Sequence, residues 1–144
     1  KMSSVILWLA ECEVELGNLG EAEKYVNLIR NRAKTGSVQD ASVNYVVNPY
    51  PAGTFASKGK EYALNAVRME SLLEFAMEGH RFFDLVRWGI ASKTLNAYLK
   101  YESKWLVTKF GGSKYTTGKD EYLPIPQAQI DIQGTSVLKQ NPGY

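Results

Sequence analysis

Between Glu74 and Gly89 the chain reads EFAMEGHRFFDLVRWG, which crowds two glutamates, an aspartate, two arginines, a histidine and four large aromatics into one short stretch. Glu70 precedes it, so Glu70, Glu74 and Glu78 follow one another at i+4 steps, and Arg81, Asp84 and Arg87 continue at three-residue steps. On a helix the glutamates share one face with about 6 Å between neighbouring Cβ atoms, where like charges repel unless cations answer them. Arg30, Arg32, Arg68, Arg81 and Arg87 are the candidate cations, and the planar guanidinium fork matches a carboxylate two bonds at a time. The expectation is a buried ionic belt of Glu70, Glu74, Glu78, Arg81, Asp84 and Arg87 that joins helices. Such a belt fixes geometry more than it adds stability, because desolvating ions costs about what pairing returns.

Paired carboxylates also hydrolyse glycosidic bonds, with acid and nucleophile about 5–5.5 Å apart on opposite sides of the scissile bond in retaining enzymes. Two glutamates one turn apart on one helix point the same way, so the spacing argues against that chemistry. His80 is the single histidine; the chain has neither the HExxH of a zinc protease nor the paired ExxH repeats of a bundle di-metal site. A structural His80 beside a bend at Gly79 is expected instead. GxSxG, GxxxxGK[ST], dinucleotide-binding and cysteine-pair motifs are also missing from the sequence. A non-catalytic protein with no metal or other cofactor is expected.

The elements that position the belt read as helices. At 144 residues and 44% hydrophobic content, the chain is long enough for one domain around one core. Val5, Trp8, Leu9, Cys12 and Leu16 recur at helical spacing after a candidate N-cap at Ser3 or Ser4, and Gly17-Asn18 supplies a stop. Ala22, Tyr25, Val26, Ile29 and Ala33 repeat the spacing up to Gly36, so residues 3–34 form a helical hairpin of tetratricopeptide type. Residues 35–59 lose periodicity and read as a long loop carrying Tyr45, Tyr50 and Phe55. Residues 60–100 carry a long helix to about Glu78, then two shorter ones, and 101–144 form a loop-rich tail. Within the tail, Trp105–Val107 and Glu121–Leu123 are expected as short paired strands, with a helical turn after Pro126.

A net charge of +2, with both signs interleaved, supplies no basic stripe for nucleic acid and no cationic face for lipid. Cys12 is the single cysteine and is expected in the core of the first helix. The run Val5–Ala10 is apolar on every side, and such a helix needs cover on every side. The expectation is therefore that an amino-terminal part of the same protein precedes this chain and supplies that cover.

Two stretches, EGHRFFDLVRWG at residues 78–89 and LPIPQAQIDIQGTSVLKQNPGY at residues 123–144, resemble signatures of the SusD-like (RagB/SusD) surface glycan-binding lipoproteins. They stand in that family's order, with a helical hairpin before them. Glu70-Ser71 stands where the family tends to have Glu-Arg, and Gln129 where it often has Glu. The resemblance implies a mainly α fold, the chain being the carboxy-terminal part of a single SusD-like domain. It further implies an outer-membrane, cell-surface protein, lipid-anchored through a cysteine other than Cys12, that binds oligosaccharide without cleaving it and delivers it to a SusC-like TonB-dependent transporter. Sugar rings lie against exposed aromatics flanked by polar groups, which makes Tyr45, Tyr50, Phe55 and Trp105 the candidate ligand contacts by composition. The competing reading is a tetratricopeptide-type scaffold that grips a peptide; it accounts for residues 3–34 and leaves the charged segment and the tail without a cause.

Overall fold

The structure, a computed structural model, describes residues 1–36, 42, 44 and 46–144. Eight helices occur among them: α1 (Met2–Leu16), α2 (Leu19–Gly36), α3 (Thr54–Lys58), α4 (Lys60–Glu74), α5 (Arg81–Arg87), α6 (Ala91–Glu102), α7 (Val107–Phe110) and α8 (Gln127–Gln133). The described residues contain no strand. They divide into two compact units, Lys1–Gly79 and His80–Tyr144.

In the first unit α1 and α2 form the expected hairpin, and α3 and α4 pack with it. Gly17 ends α1 in the left-handed region at φ 86°. The Gly17 N–H bonds the Val14 carbonyl and the Asn18 N–H bonds that of Glu13, the two-bond Schellman arrangement that satisfies carbonyls a helix end would otherwise leave bare. The core holds Leu7, Ala10 and Val14 of α1, Ala22, Val26 and Ile29 of α2, Phe55 of α3, Ala63, Ala66 and Val67 of α4, and Phe75. Each fully buried valine, leucine or phenylalanine among them stabilises the unit by roughly 1.5–3 kcal/mol, and the alanines let the helices approach closely.

The buried face of α1 differs from the expected one. Ser3, Ser4, Leu7, Ala10 and Val14 are buried, whereas Val5, Trp8, Leu9 and Leu16 are exposed and so is Cys12. A helix that is apolar all round leaves the choice of face to its neighbours, and the face with small residues was taken. Ser3 and Ser4 lie inside the helix; Lys1 is the N-cap residue. The third predicted helix also stops earlier, at Glu74, because Phe75 leaves helical geometry and Met77 adopts a left-handed φ of 67°. Part of the expected loop is helical: Thr54–Lys58 forms α3.

In the second unit Leu85, Ala91 and Tyr115 are buried, with Val86, Ile90 and Leu95 against them, so the described residues hold two hydrophobic clusters where one core was expected. The expected strand pair is absent. Trp105 and Leu106 donate to the Glu102 carbonyl, and Phe110 and Gly111 donate to those of Leu106 and Val107. Donors a strand would offer sideways are thus consumed within local turns. Tyr122 likewise donates to Lys119. The tail is held by its last residues: the Gln140 amide bonds both the N–H and the carbonyl of Ile125, Asn141 donates to the Leu123 carbonyl, and the Tyr144 hydroxyl donates to that of Tyr122.

Replacing Gly17 by Ala forces a Cβ into left-handed backbone with nothing within 4 Å to clash or pack with it. The expected cost is about 1 kcal/mol of pure backbone strain, read as a lower urea midpoint with an unchanged slope, and Gly17→Asn costs less.

Candidate functional site

Helix α2 carries an apolar stripe toward the core and, beside it, a polar one: Glu23, Asn27, Arg30 and Lys34 at i, i+4, i+7 and i+11, a spacing that keeps them on one face. This stripe grips the segment from Asn48 to Phe55 like a clamp. Glu23, 5% exposed, accepts the N–H of Gly53 at 2.9 Å and that of Phe55 at 2.8 Å. The Asn27 amide donates to the Tyr50 carbonyl at 3.0 Å and accepts its N–H at 2.7 Å. Arg30 donates through Nε to the Asn48 carbonyl at 2.7 Å, and Lys34 donates to the Asn48 side chain at 3.1 Å. The irregular stretch before α3 and the bare N–H groups of the first turn of α3 thereby have their backbone polar groups met by side chains.

Beside the clamp lies an open cleft of about 570 Å³ whose lining includes Lys24, Asn27, Leu28, Asn31, Pro49 and Tyr50. Tyr50 is half-buried, its ring edge-on to Phe55 and Tyr62 and 5.0 Å beneath the Arg30 guanidinium. Burial pushes its phenol up, against the opposing charge of Arg30, so the hydroxyl stays protonated at neutral pH. The other aromatic candidates fare differently. Phe55 is wholly buried in the core and has no surface to offer a sugar, which corrects its selection: clamping by Glu23 turns its side chain inward. Trp105 is 74% exposed, in the turn before α7. Tyr45 lies outside the described residues.

The expected charged belt divides. In the first unit Arg30 Nη1 pairs with Glu70 at 2.8 Å, with 20% and 6% of the two side chains exposed. Arg32 pairs with Glu74, which is 8% exposed, and Lys1 bridges Glu74 and Glu78. Glu78 lies beyond the end of α4, so the helical register that should have aligned it stops short. In the second unit Arg87 pairs with Asp84 at 2.9 Å, and Arg81 and Arg87 stand over the Trp88 ring, where a guanidinium is held by the π face. His80 is the N-cap residue of α5, with its side chain exposed.

Sequence reasoning identified Arg30 as a cation for the belt but missed the roles of Glu23 and Asn27. The signal was available as a second, polar i, i+4, i+7 series on α2, although nothing in it names the loop it holds.

Arg30→Ala leaves Glu70 buried without its partner and frees the Asn48 carbonyl, so a loss of about 3–5 kcal/mol is expected in chemical denaturation; Arg30→Lys, which keeps the charge but not the fork, falls between. Burial alone would raise the Glu74 carboxyl, but the bond from Arg32, the Ser3 hydroxyl nearby and the charges of Arg32 and Lys1 outweigh it and hold the group below its ordinary 4.5. A lowered folded-state value contributes stability above the unfolded-state pKa and loses it as pH falls through the folded one. Stability measured by urea between pH 7 and pH 3 should therefore decline on the acid side, and Glu74→Gln should flatten that limb while lowering stability at pH 7.

Among the described residues no group of three His, Cys, Asp or Glu side chains is placed to hold a metal ion, and no helix is long and apolar enough to cross a membrane. The comparison with curated proteins and that with solved structures returned no match. The comparison with protein families returned one, the SusD family, over residues 2–144. With the EGHRFFDLVRWG segment and the QNPGY tail inside that span, the chain belongs to the SusD family.

Proposed function

We propose that this protein binds oligosaccharide at the outer surface of the outer membrane and delivers it, uncleaved, to a SusC-like TonB-dependent transporter. The observation that carries this reading is the family match across residues 2–144, since SusD-family proteins are non-catalytic nutrient binders of the outer membrane. The geometry supports a binder over a hydrolase. Glu70 and Glu74 each engage an arginine, so neither carboxylate stands open opposite a partner, as glycoside hydrolysis requires. Glu78 is bound to Lys1. The charged belt holds helices, and ligand contact falls to aromatic and polar side chains on loops and cleft walls. Tyr50, in a cleft beside Lys24 and Asn31, and the exposed Trp105 are the aromatics retained as ligand contacts. Tyr45 is proposed with them on composition alone.

Isothermal calorimetry of the intact protein against oligomers of starch, inulin, xylan and host glycans is the direct test. Saturable heat with at least one oligomer is expected, with no new reducing ends after prolonged incubation. Heat from peptides and none from any carbohydrate would transfer the protein to the scaffold class.

A further inference from the structure

The Tyr50 cleft has much of its polar chemistry committed, since Glu23 and Asn27 are engaged in holding the loop. A second cleft, entirely within the His80–Tyr144 unit, is less committed. It measures about 380 Å³ and its lining includes Phe82, Tyr98, Ser113, Lys114, Tyr115 and Asp120, a size within the usual range of about 300–1,000 Å³ for small-molecule sites.

Its walls are rigid for identifiable reasons. Asn96 donates to the Tyr115 carbonyl at 3.0 Å and accepts its N–H at 2.8 Å, which pins Tyr115 with only 6% of its surface exposed. Phe82 stands edge-on to Tyr115 with ring centroids 6.4 Å apart. Tyr98 is braced in the same way by Phe110 at 6.1 Å, yet remains 51% exposed, so a ring held in place still offers surface. Asp120 Oδ2 accepts the Thr116 N–H, and a carboxylate has acceptor capacity beyond that one bond. Ser113 and Lys114 line the same cleft. The Tyr115 hydroxyl is buried without a hydrogen-bond partner; burial, with the Glu121 carboxylate close by but out of bonding geometry, pushes it up to about 12, so it remains a neutral donor.

The lining itself carries one carboxylate and one ammonium, with neutral hydroxyls beside an aromatic surface, while Glu121 acts on Tyr115 without being part of that lining. That combination disfavours a phosphate or a polycation and suits a neutral ligand with an apolar face and a rim of hydroxyls, the description of a sugar ring. We propose that this cleft is a saccharide subsite, in which one ring lies against Tyr98 while Asp120, Ser113 and Lys114 bond its hydroxyls. The inference rests on the oligosaccharide reading above and locates a contact that neither the aromatic composition nor the charged segment indicated.

Tyr98→Ala and Asp120→Asn test it in the intact protein, each checked for an unchanged melting temperature; the half-exposed ring and the isosteric amide make both tolerable to the fold. Against whichever oligomer of the starch, inulin, xylan and host-glycan panel gives heat with the wild type, each variant should bind about tenfold more weakly, a loss of about 1.4 kcal/mol. Saturation-transfer NMR on the wild type should show transfer to sugar ring protons that is diminished in Tyr98→Ala. Wild-type affinity in both variants overturns the subsite and leaves the oligosaccharide reading standing. The absence of heat and of transfer with every oligomer overturns both.

Discussion

The Arg30 guanidinium is the interaction on which the first unit depends. One fork holds three things at once: the Asn48 carbonyl, the buried Glu70 carboxylate of α4, and the face of the Tyr50 ring. A lysine at this position could supply charge but not the planar set of donors that reaches a backbone oxygen and a carboxylate in fixed relative directions. Glu70 in turn is tolerable in the interior because a cation meets it there; a carboxylate of 6% side-chain exposure without one would carry a desolvation penalty of several kcal/mol. Helix α2, the segment from Asn48 and α4 are thereby locked in one arrangement by an ion pair that adds little over an apolar pair of the same shape, yet is costly to break from one side and large in its effect on geometry.

A second device recurs through the molecule. The amides of Asn27, Asn96 and Gln140 each bond both the N–H and the carbonyl of a single residue, respectively Tyr50, Tyr115 and Ile125. Each amide does for one residue what a neighbouring strand would do for a row of them. Extended segments such as those around Tyr50, Tyr115 and Ile125 can therefore be ordered without a sheet, and the described residues contain helices and no strand. The QNPGY ending acquires a physical meaning from the same bonds: Gln140, Asn141 and Tyr144 hold the backbone of residues 122–125, and Lys119 stands over the Tyr144 ring at 4.9 Å.

These devices bear on function. In the first unit carboxylates that might have done acid–base work are tied to cations, and amides that might have met a ligand are tied to backbone. What remains open to a ligand is aromatic surface and the polar groups beside it. That division of labour, with ionic and amide contacts spent on shape and rings left for contact, is consistent with the binding role proposed above.

By itself the sequence determined the helical hairpin, its Gly17 stop, the helix boundaries near Gly89 and Lys60, and the need for arginines to answer Glu70 and Glu74, because periodicity, capping and charge pairing act over a few residues and are written in local spacing. It determined the family too, through two motifs in their order. Tertiary structure decided which face of α1 is buried, since Val5–Ala10 is apolar on all sides and only neighbours can choose between Leu7 and Trp8. It decided that Phe55 turns inward while Trp105 stays out, because composition makes both equally plausible ligand contacts and only the Glu23 clamp separates them. It also ended α4 before Glu78, dividing a charge pattern that looks continuous in sequence. Local spacing specifies elements; long-range packing and hydrogen bonds between residues 15 to 42 positions apart assign each side chain its surroundings, and local periodicity does not name the partner at the far end of such a bond.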